Sequence, residues 1–217
     1  MSDHIVFDCE IANCVGENGL GWNDTDRLGL SCCCVWEVTT RRMRVYGPYD
    51  LAALQQRLLD ADRITGFNVA AFDMPLCFSV PKNEWRNHPA YPLLLPKTDD
   101  ILRRIWLALG LNPDTFGPAH KGWSLDNVAG STLNRRKTGN GADAPKWFQR
   151  GEWARLVDYC LNDVALERDL GEFIDAHGFC RNEYAKRDAS TLLVPPWKPE
   201  TLPVASEESK PTNVSQS

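Results

Sequence analysis

The sequence predicts an α/β domain that is built on one mixed β-sheet with helices on its faces. Strand-like stretches come first, up to about residue 46, and helical and strand-like stretches then alternate. That order is typical of α/β folds in which crossover helices join parallel strands. The chain has 217 residues, 43% of them hydrophobic, so we expect one core and a single domain over residues 1–189. Prolines, serines and glutamates without periodicity predict a disordered or extended tail over residues 190–217.

The first predicted strand, residues 5–11, places two acids side by side. Val6, Asp8 and Glu10 lie on one face of this strand, and apolar side chains occupy the other. Buried carboxylates repel each other and lose hydration, so a fold keeps such a pair only with a compensating positive charge. A divalent cation with oxygen ligands is the natural candidate. The alternative interpretation is an exposed edge strand whose two acids are solvated.

The next segments extend this strand into an antiparallel meander. Residues 13–26 are polar and rich in glycine and asparagine, which predicts a loop. Strands are predicted over residues 28–38 and 41–46, with Thr39 and Thr40 as their hairpin connection.

Helices and short strands follow. A helix is expected after Asp50, an apparent N-cap, because leucines recur at helical spacing. Residues 64–67 predict a short buried strand, and a second helix is expected to begin near Ala70 and to include Asp73. Residues 80–96 contain four prolines, which predicts a mostly irregular segment with a short strand near its end.

Three more helices are predicted from Asp99 onward. One begins at Asp99 or Asp100, one at Ser124, and the longest covers about residues 152–176. Residues 135–143 between them form a basic, glycine-rich loop.

Charge and cysteine content limit the classes of function. The net charge of −5 argues against a stably bound nucleic-acid clamp, but not against an enzyme that touches nucleic acid briefly. The eight cysteines form no Cys-x-x-Cys pair, which argues against a zinc ribbon. Without a signal peptide or a long apolar run, we expect reduced thiols, a cytoplasmic location and no membrane partner.

Two further motifs carry acids that suit the pair on the first strand. Asn68 ends the strand over residues 64–67, and Asp73 follows at the start of a helix, where α/β sheets place their sites. Tyr159 and Asp163 lie four residues apart and share one face of the longest helix. Each motif alone also has a structural interpretation, namely a first-turn acid stabilised by the helix dipole and a half-buried tyrosine beside a surface acid.

In order, separation and setting, the three motifs together resemble those of the DEDD superfamily of 3′–5′ exonucleases, in its tyrosine-containing branch. The matching stretches are residues 7–10, 68–73 and 159–163, and the resemblance covers about residues 4–176. It is closest to proofreading domains of family B DNA polymerases and to predicted helicase-associated exonucleases. The resemblance implies an RNase H-like fold with a five-stranded mixed sheet flanked by helices.

The resemblance also implies a two-metal site. Two Mg²⁺ or Mn²⁺ ions would be held by the four acids, and Tyr159 would chiefly position the attacking water. Asn68 and Phe72 match motif positions near the terminal nucleotide, and Lys137 in the basic loop is expected to hold backbone phosphates. Plain core packing for Phe72 and a solvated face for Lys137 are the alternatives. The implied metal ligands are Asp8, Glu10, Asp73 and Asp163, and the implied catalytic residues are these four and Tyr159.

The expected function is metal-dependent 3′–5′ hydrolysis of single-stranded or frayed DNA, which releases nucleoside 5′-monophosphates. One alternative is trimming of RNA 3′ ends, although DNA is favoured over RNA as the substrate. The other is a non-catalytic module that binds nucleic acid and recruits a replication or repair partner.

Overall fold

The computed structural model describes residues 2–184 and 191–199 and shows an α/β fold on a five-stranded mixed sheet. The strand order is β3-β2-β1-β4-β5, so the first strand lies at the centre. β1 pairs antiparallel with β2 and parallel with β4, while β2–β3 is antiparallel and β4–β5 is parallel. The strands are β1 (His4–Ile11), β2 (Leu30–Glu37), β3 (Arg42–Tyr46), β4 (Arg63–Gly66) and β5 (Thr98–Asp100). The predicted meander is confirmed, and the edge-strand interpretation of β1 is wrong.

Helices cover both faces of this sheet. On one face, Phe7 and Val35 pack with Leu54 in one buried cluster, and on the other, Val6 packs with Val164 of the longest helix. The helices of the described residues are α1 (Thr25–Leu28), α2 (Leu51–Asp60), α3 (Asp73–Cys77), α4 (Tyr91–Leu94), α5 (Ile101–Ala108), α6 (Leu125–Leu133), α7 (Ala144–Gln149) and α8 (Trp153–His177). None of them is both long enough and apolar enough to cross a membrane.

Capping residues mark where two of these helices begin. The Asp100 carboxylate accepts a hydrogen bond from the Arg103 N–H at 3.2 Å, and the Ser124 hydroxyl accepts one from Asn127 at 3.3 Å. Both predicted start points are therefore confirmed. Asp50 precedes α2 as predicted, but its carboxylate accepts from the Gly47 N–H rather than from the helix.

Local structure departs from the sequence prediction in several places. α3 begins at Asp73 rather than near Ala70, because the chain first makes a tight turn in which Asn68 has a φ of +68°. The predicted loop over residues 13–26 contains a 3₁₀ turn, Glu17–Gly19, and leads into α1. The segment over residues 80–96 holds the 3₁₀ turn Trp85–Asn87 and α4, so it is more regular than predicted. α7 was also not predicted.

A small second sheet follows α8. β6 (Phe179–Arg181) pairs antiparallel with β7 (Thr191–Leu193), and Val194 after it is fully buried. The Trp197 indole N–H then donates to the Thr98 carbonyl oxygen at 3.2 Å. Residues 191–199 of the predicted tail are thus extended and packed on the domain, and residue 190 and residues 200–217 lie outside the described part of the chain.

An ionic network ties β4, β5, α5 and α8 together. The Asp99 carboxylate, which has no exposed surface, contacts the guanidinium groups of Arg63 and Arg104. Asp175 of α8 accepts from the same two arginines at 2.6 and 2.8 Å. Each charge therefore has partners of opposite sign on two other elements.

Loss of Asp99 should destabilise the fold strongly. In Asp99→Ala two partly buried arginines lose a shared partner, and breaking such a buried pair costs about 3–5 kcal/mol. Urea denaturation should show that loss in the free energy of unfolding, while Asp60→Ala, at an exposed acid of α2, should change it by less than about 0.5 kcal/mol. Equal effects of the two substitutions would contradict this account of the network.

Candidate functional site

β1 delivers two acids to the face of the sheet that α8 covers. The carboxylate oxygens of Asp8 and Glu10 and the sulfur of Cys160 on α8 all lie within 4.8 Å of one another. Glu10 is only 7% exposed. The two acids of the first motif therefore point inward together, as the alternation of the strand predicted.

The turn after β4 positions the third acid, Asp73. Gly66 ends β4 so close to β1 that a Cβ there would lie 2.9 Å from the Phe7 carbonyl oxygen, which explains the glycine. The Asp100 carboxylate fixes the turn by accepting from the N–H groups of Asn68 at 2.9 Å and Ala70 at 3.0 Å.

Asp73 accepts a backbone hydrogen bond from β1 beyond the point where β4 ends. Its carboxylate accepts from the Cys9 N–H at 3.1 Å, where the pairing of β1 with β4 has already stopped. Cys9 lies between Asp8 and Glu10 in the chain, so this bond links the second motif to the first. Asp73 is 4% exposed.

α8 supplies Tyr159 and Asp163, one turn apart. They are 2% and 0% exposed, so the alternative interpretation of a half-buried tyrosine beside a surface acid is wrong. The Lys137 ammonium lies 2.7 Å from the Asp163 carboxylate and 5.3 Å from the centre of the Tyr159 ring. Lys137, predicted to bind phosphate, thus points into the acid cluster.

The loop that carries Lys137 closes over Tyr159. A Cβ on Gly139 would lie 3.3 Å from the Tyr159 ring, and one on Gly141 would lie 3.5 Å from its hydroxyl oxygen. The indole of Trp147 meets the same ring edge-on at 5.5 Å between centroids. The small residues therefore allow the backbone to approach the phenol closely.

Burial and mutual repulsion raise the pKa values of the acids. Burial, followed by repulsion from Asp163, raises the pKa of Asp8 to about 8. Burial raises the pKa of Glu10, Asp73 and Asp163 as well. Burial alone would lower the pKa of Lys137, but attraction to Asp163 and Asp8 outweighs it and raises the pKa. Lys137 is therefore charged while the acids around it favour protonation.

Glu167 is a further buried acid of the cluster that sequence reasoning missed. It lies one turn beyond Asp163 on α8 and is 1% exposed. One carboxylate oxygen accepts from the Phe67 N–H at 3.1 Å, and the other has no hydrogen-bond partner among the described residues. Burial, with repulsion from Asp8 and Asp73, raises its pKa well above the usual range. Its four-residue spacing from Asp163 is the signal that could have identified it.

Aromatic residues border the second motif. Phe72 is partly buried against the core, and its exposed side meets Trp22 edge-on at 5.7 Å between centroids. Trp22, from the loop after β1, is 59% exposed. Sequence reasoning missed Trp22. The signal that could have identified it is a tryptophan within an otherwise polar loop.

The donor set suits a hard divalent cation. Asp8 Oδ2 and Asp163 Oδ1 are buried and have no hydrogen-bond partner among the described residues. Cys160 donates its S–H to the Asp8 carbonyl oxygen at 3.3 Å, and burial raises its thiol pKa, so it remains a neutral donor. Within the described residues, Asp73 and Asp163 lie outside the group that meets within 4.8 Å. The oxygen atoms nonetheless fit Mg²⁺ or Mn²⁺ better than softer metals.

No protein-family model and no curated protein matches this sequence. The acid cluster combines carboxylates from β1, α3 and α8, and Lys137 pairs with the α8 acid Asp163.

The metal-free protein should lose stability as pH rises. The folded pKa of Asp8 is about 8 against an ordinary value of 3.8, so between these values the folded state binds more protons than the unfolded state. The free energy of unfolding then falls with rising pH, by up to about 1.4 kcal/mol per pH unit for one proton. Thermal unfolding in EDTA from about pH 5 to about pH 8 should show a falling midpoint, less steep in Asp8→Asn. Stability that rises over this range would contradict the burial of these acids in their neutral form.

Removal of the lysine should make the cluster more dependent on metal. Lys137→Met leaves a buried Asp163 oxygen without its cation, which should lower the free energy of unfolding by about 1–3 kcal/mol in EDTA. Added Mn²⁺ should raise the unfolding midpoint more than in the wild type, because no ammonium competes for Asp163. Lys146→Met, at an exposed lysine of α7, is the matched control. An unchanged response to Mn²⁺ would show that Lys137 does not compensate the cluster.

Proposed function

We propose that the chain is a metal-dependent 3′–5′ exonuclease of RNase H-like fold, in the tyrosine-containing branch of the DEDD superfamily. The observation that supports it most is the set of acids that three separate elements bring to one side of the sheet: Glu10, Asp73 and Asp163 are buried, and the Asp8 and Glu10 carboxylates meet within 4.8 Å. Such burial is unfavourable unless the site binds cations. The central β1 in a five-stranded mixed sheet also agrees with the fold that the resemblance implies.

Two Mg²⁺ or Mn²⁺ ions, when bound, would polarise the scissile phosphate and lower the pKa of the attacking water. The residues that would hold them are Asp8, Glu10, Asp73 and Asp163. The hydrogen bond from Cys9 to Asp73 keeps the second and first motifs aligned for this task.

Tyr159 has the properties of a positioning group. Burial raises its pKa above the ordinary value, so the phenol stays neutral at physiological pH. Its buried hydroxyl lies beside the Lys137 ammonium and the Asp163 carboxylate, where it would orient the attacking water. A neutral phenol is a poor base, so we propose that Tyr159 orients the water and does not abstract its proton.

Lys137 and Phe72 are the proposed substrate contacts beside this centre. Once its ammonium leaves Asp163, Lys137 can bind a backbone phosphate from the same loop. Phe72, with Trp22 against it, offers a ring for the terminal base or sugar, and Asn68, at the start of the same motif, is a further proposed contact. The product is a nucleoside 5′-monophosphate from the 3′ end of single-stranded DNA, with RNA as the alternative substrate.

A non-catalytic binding module is the second candidate function. The ion pair between Lys137 and Asp163 favours it, because one acid of the cluster is already neutralised without a metal. Such a module would still bind nucleic acid or a replication partner but would not shorten a strand.

Hydrolysis of a 5′-labelled oligonucleotide tests the proposal. With Mn²⁺ or Mg²⁺ the wild-type protein should produce a ladder from the 3′ end, and EDTA should abolish it. Asp8→Asn should lower the rate by at least about a thousandfold, because a shared ligand is lost. Tyr159→Phe should lower it by about ten- to a hundredfold, since only orientation of the water is affected.

Asp158→Asn, next to Tyr159 but exposed, is the control and should retain full activity. A wild-type rate in Asp8→Asn would remove that residue from the site. Tight binding of the strand without any shortening would favour the non-catalytic module, and parallel DNA and RNA substrates would show which sugar is preferred.

A further inference from the structure

Two cysteine side chains meet in the core on the face of the sheet opposite to α8. All eight cysteines of the chain are free thiols, and Cys9 of β1 and Cys77 of α3 belong to the buried cluster on that face. Their sulfur atoms lie 3.4 Å apart, and the two residues are 6% and 0% exposed. The sulfur–sulfur bond of a disulfide is about 2.05 Å long, so the two atoms need to approach by only about 1.4 Å.

The fold holds these two sulfur atoms against each other. Cys77 lies one helical turn beyond Asp73 on α3, and Asp73 accepts from the Cys9 N–H at 3.1 Å. The acid and the thiol of α3 therefore contact the same residue of β1. The Gln55 side chain of α2 donates to the Cys77 carbonyl oxygen at 2.9 Å, which fixes the end of α3 as well. A bond between the two sulfur atoms thus requires little movement of either element.

Cys33 completes this group of thiols and influences the reactivity of Cys77. It lies opposite Cys9 on β2 and belongs to the same buried cluster. Hydrogen bonds from the Cys33 and Cys9 thiols lower the pKa of Cys77 to about 5, although burial opposes this shift. The thiolate is the reactive form of a cysteine, so Cys77 is the member of the group that an oxidant modifies first.

The end of α3 is the route by which a small oxidant reaches Cys77. This helix is five residues long, and Cys77 is its last residue. Helix ends fray, and local opening of a short element takes much less free energy than global unfolding. Such an opening admits hydrogen peroxide, which is little larger than a water molecule.

We infer that Cys9 and Cys77 form a disulfide when the protein meets a peroxide. The Cys77 thiolate attacks one oxygen of hydrogen peroxide, the O–O bond breaks, and the hydroxide that leaves takes up a proton to become water. The sulfenic acid formed on Cys77 is then attacked by the Cys9 sulfur, which loses its proton as a second water leaves. In total two thiols are oxidised to one disulfide, and one peroxide is reduced to two waters.

The disulfide joins two positions that are 68 residues apart in the chain. Closing so long a loop removes conformations from the unfolded chain and stabilises the fold. It also ties β1 to α3 beside the hydrogen bond between Cys9 and Asp73, so the strand and the helix can no longer separate. This cross-link does not depend on the proposed function, because only the thiols and the elements that carry them take part.

Peroxide treatment of the full chain in EDTA, followed by alkylation of the remaining thiols in denaturant, tests the cross-link. Mass spectrometry should show the loss of two hydrogen atoms and two fewer alkylated thiols than in the untreated protein. Digestion should place the link between Cys9 and Cys77. The thermal unfolding midpoint should rise by about 5–15 °C, as closure of a long loop predicts, and should return to its starting value after dithiothreitol.

Single substitutions connect the shift to this pair. Cys9→Ser and Cys77→Ser should each abolish both the link and the rise in midpoint. Each variant is compared with its own untreated form, so any loss of stability that the substitution itself causes cancels. Cys180→Ser, at a fully buried cysteine of β6, is the matched control and should retain both.

Mapping of the treated wild-type protein decides the assignment even where a variant fails to fold. Eight alkylated thiols after treatment would overturn it. A link from Cys33 to either partner, a link within the group Cys32, Cys34 and Cys160, or sulfinic acid on Cys77 without a link would overturn it too. The proposed function is tested separately by hydrolysis of the labelled oligonucleotide, and none of these outcomes changes that result.

Discussion

Burial of several carboxylates at the end of β1 is the constraint on which the rest of this structure depends. Each acid is stabilised by a different neighbour. Asp73 accepts from the backbone of β1, Glu167 accepts from the backbone after β4, and Asp163 faces the Lys137 ammonium. These contacts explain why the sheet, the turn after β4 and α8 meet where they do. If any one element moved away, a buried acid would lose its partner.

The sequence was sufficient for the elements whose pattern is local. Alternation placed Asp8 and Glu10 on one face of a strand, and a four-residue spacing placed Tyr159 and Asp163 on one face of a helix. Contacts between residues that are far apart in the sequence were harder to predict. Glu167 reaches Phe67 from 100 positions away, and nothing near either residue indicates that contact. α3 begins later in the chain than predicted, because the Asp100 carboxylate, which lies on a different strand, holds the turn at Asn68.

Stability and chemistry are divided between different parts of the fold. Asp99, Arg63 and Arg104 form a network in which every charge is paired, and Trp197 lies on Arg63 with 4.7 Å between the guanidinium carbon and the ring centre. At the acid cluster, by contrast, carboxylate oxygens and a phenol lack partners among the described residues. The acids of the cluster outnumber the cation that pairs with them, Lys137, and this imbalance supports the proposed metal site.

The close packing of Gly139 and Gly141 on Tyr159 has a kinetic consequence. Because Lys137 of this loop pairs with Asp163, a cation that binds Asp163 in the proposed site would have to displace the ammonium, and with it the loop. Opening is a unimolecular event, so the observed rate of cation association should level off as the cation concentration increases, at the rate of opening itself. The loop would then limit how fast the proposed site binds a cation, while the affinity of the acids would determine how long the ion remains bound.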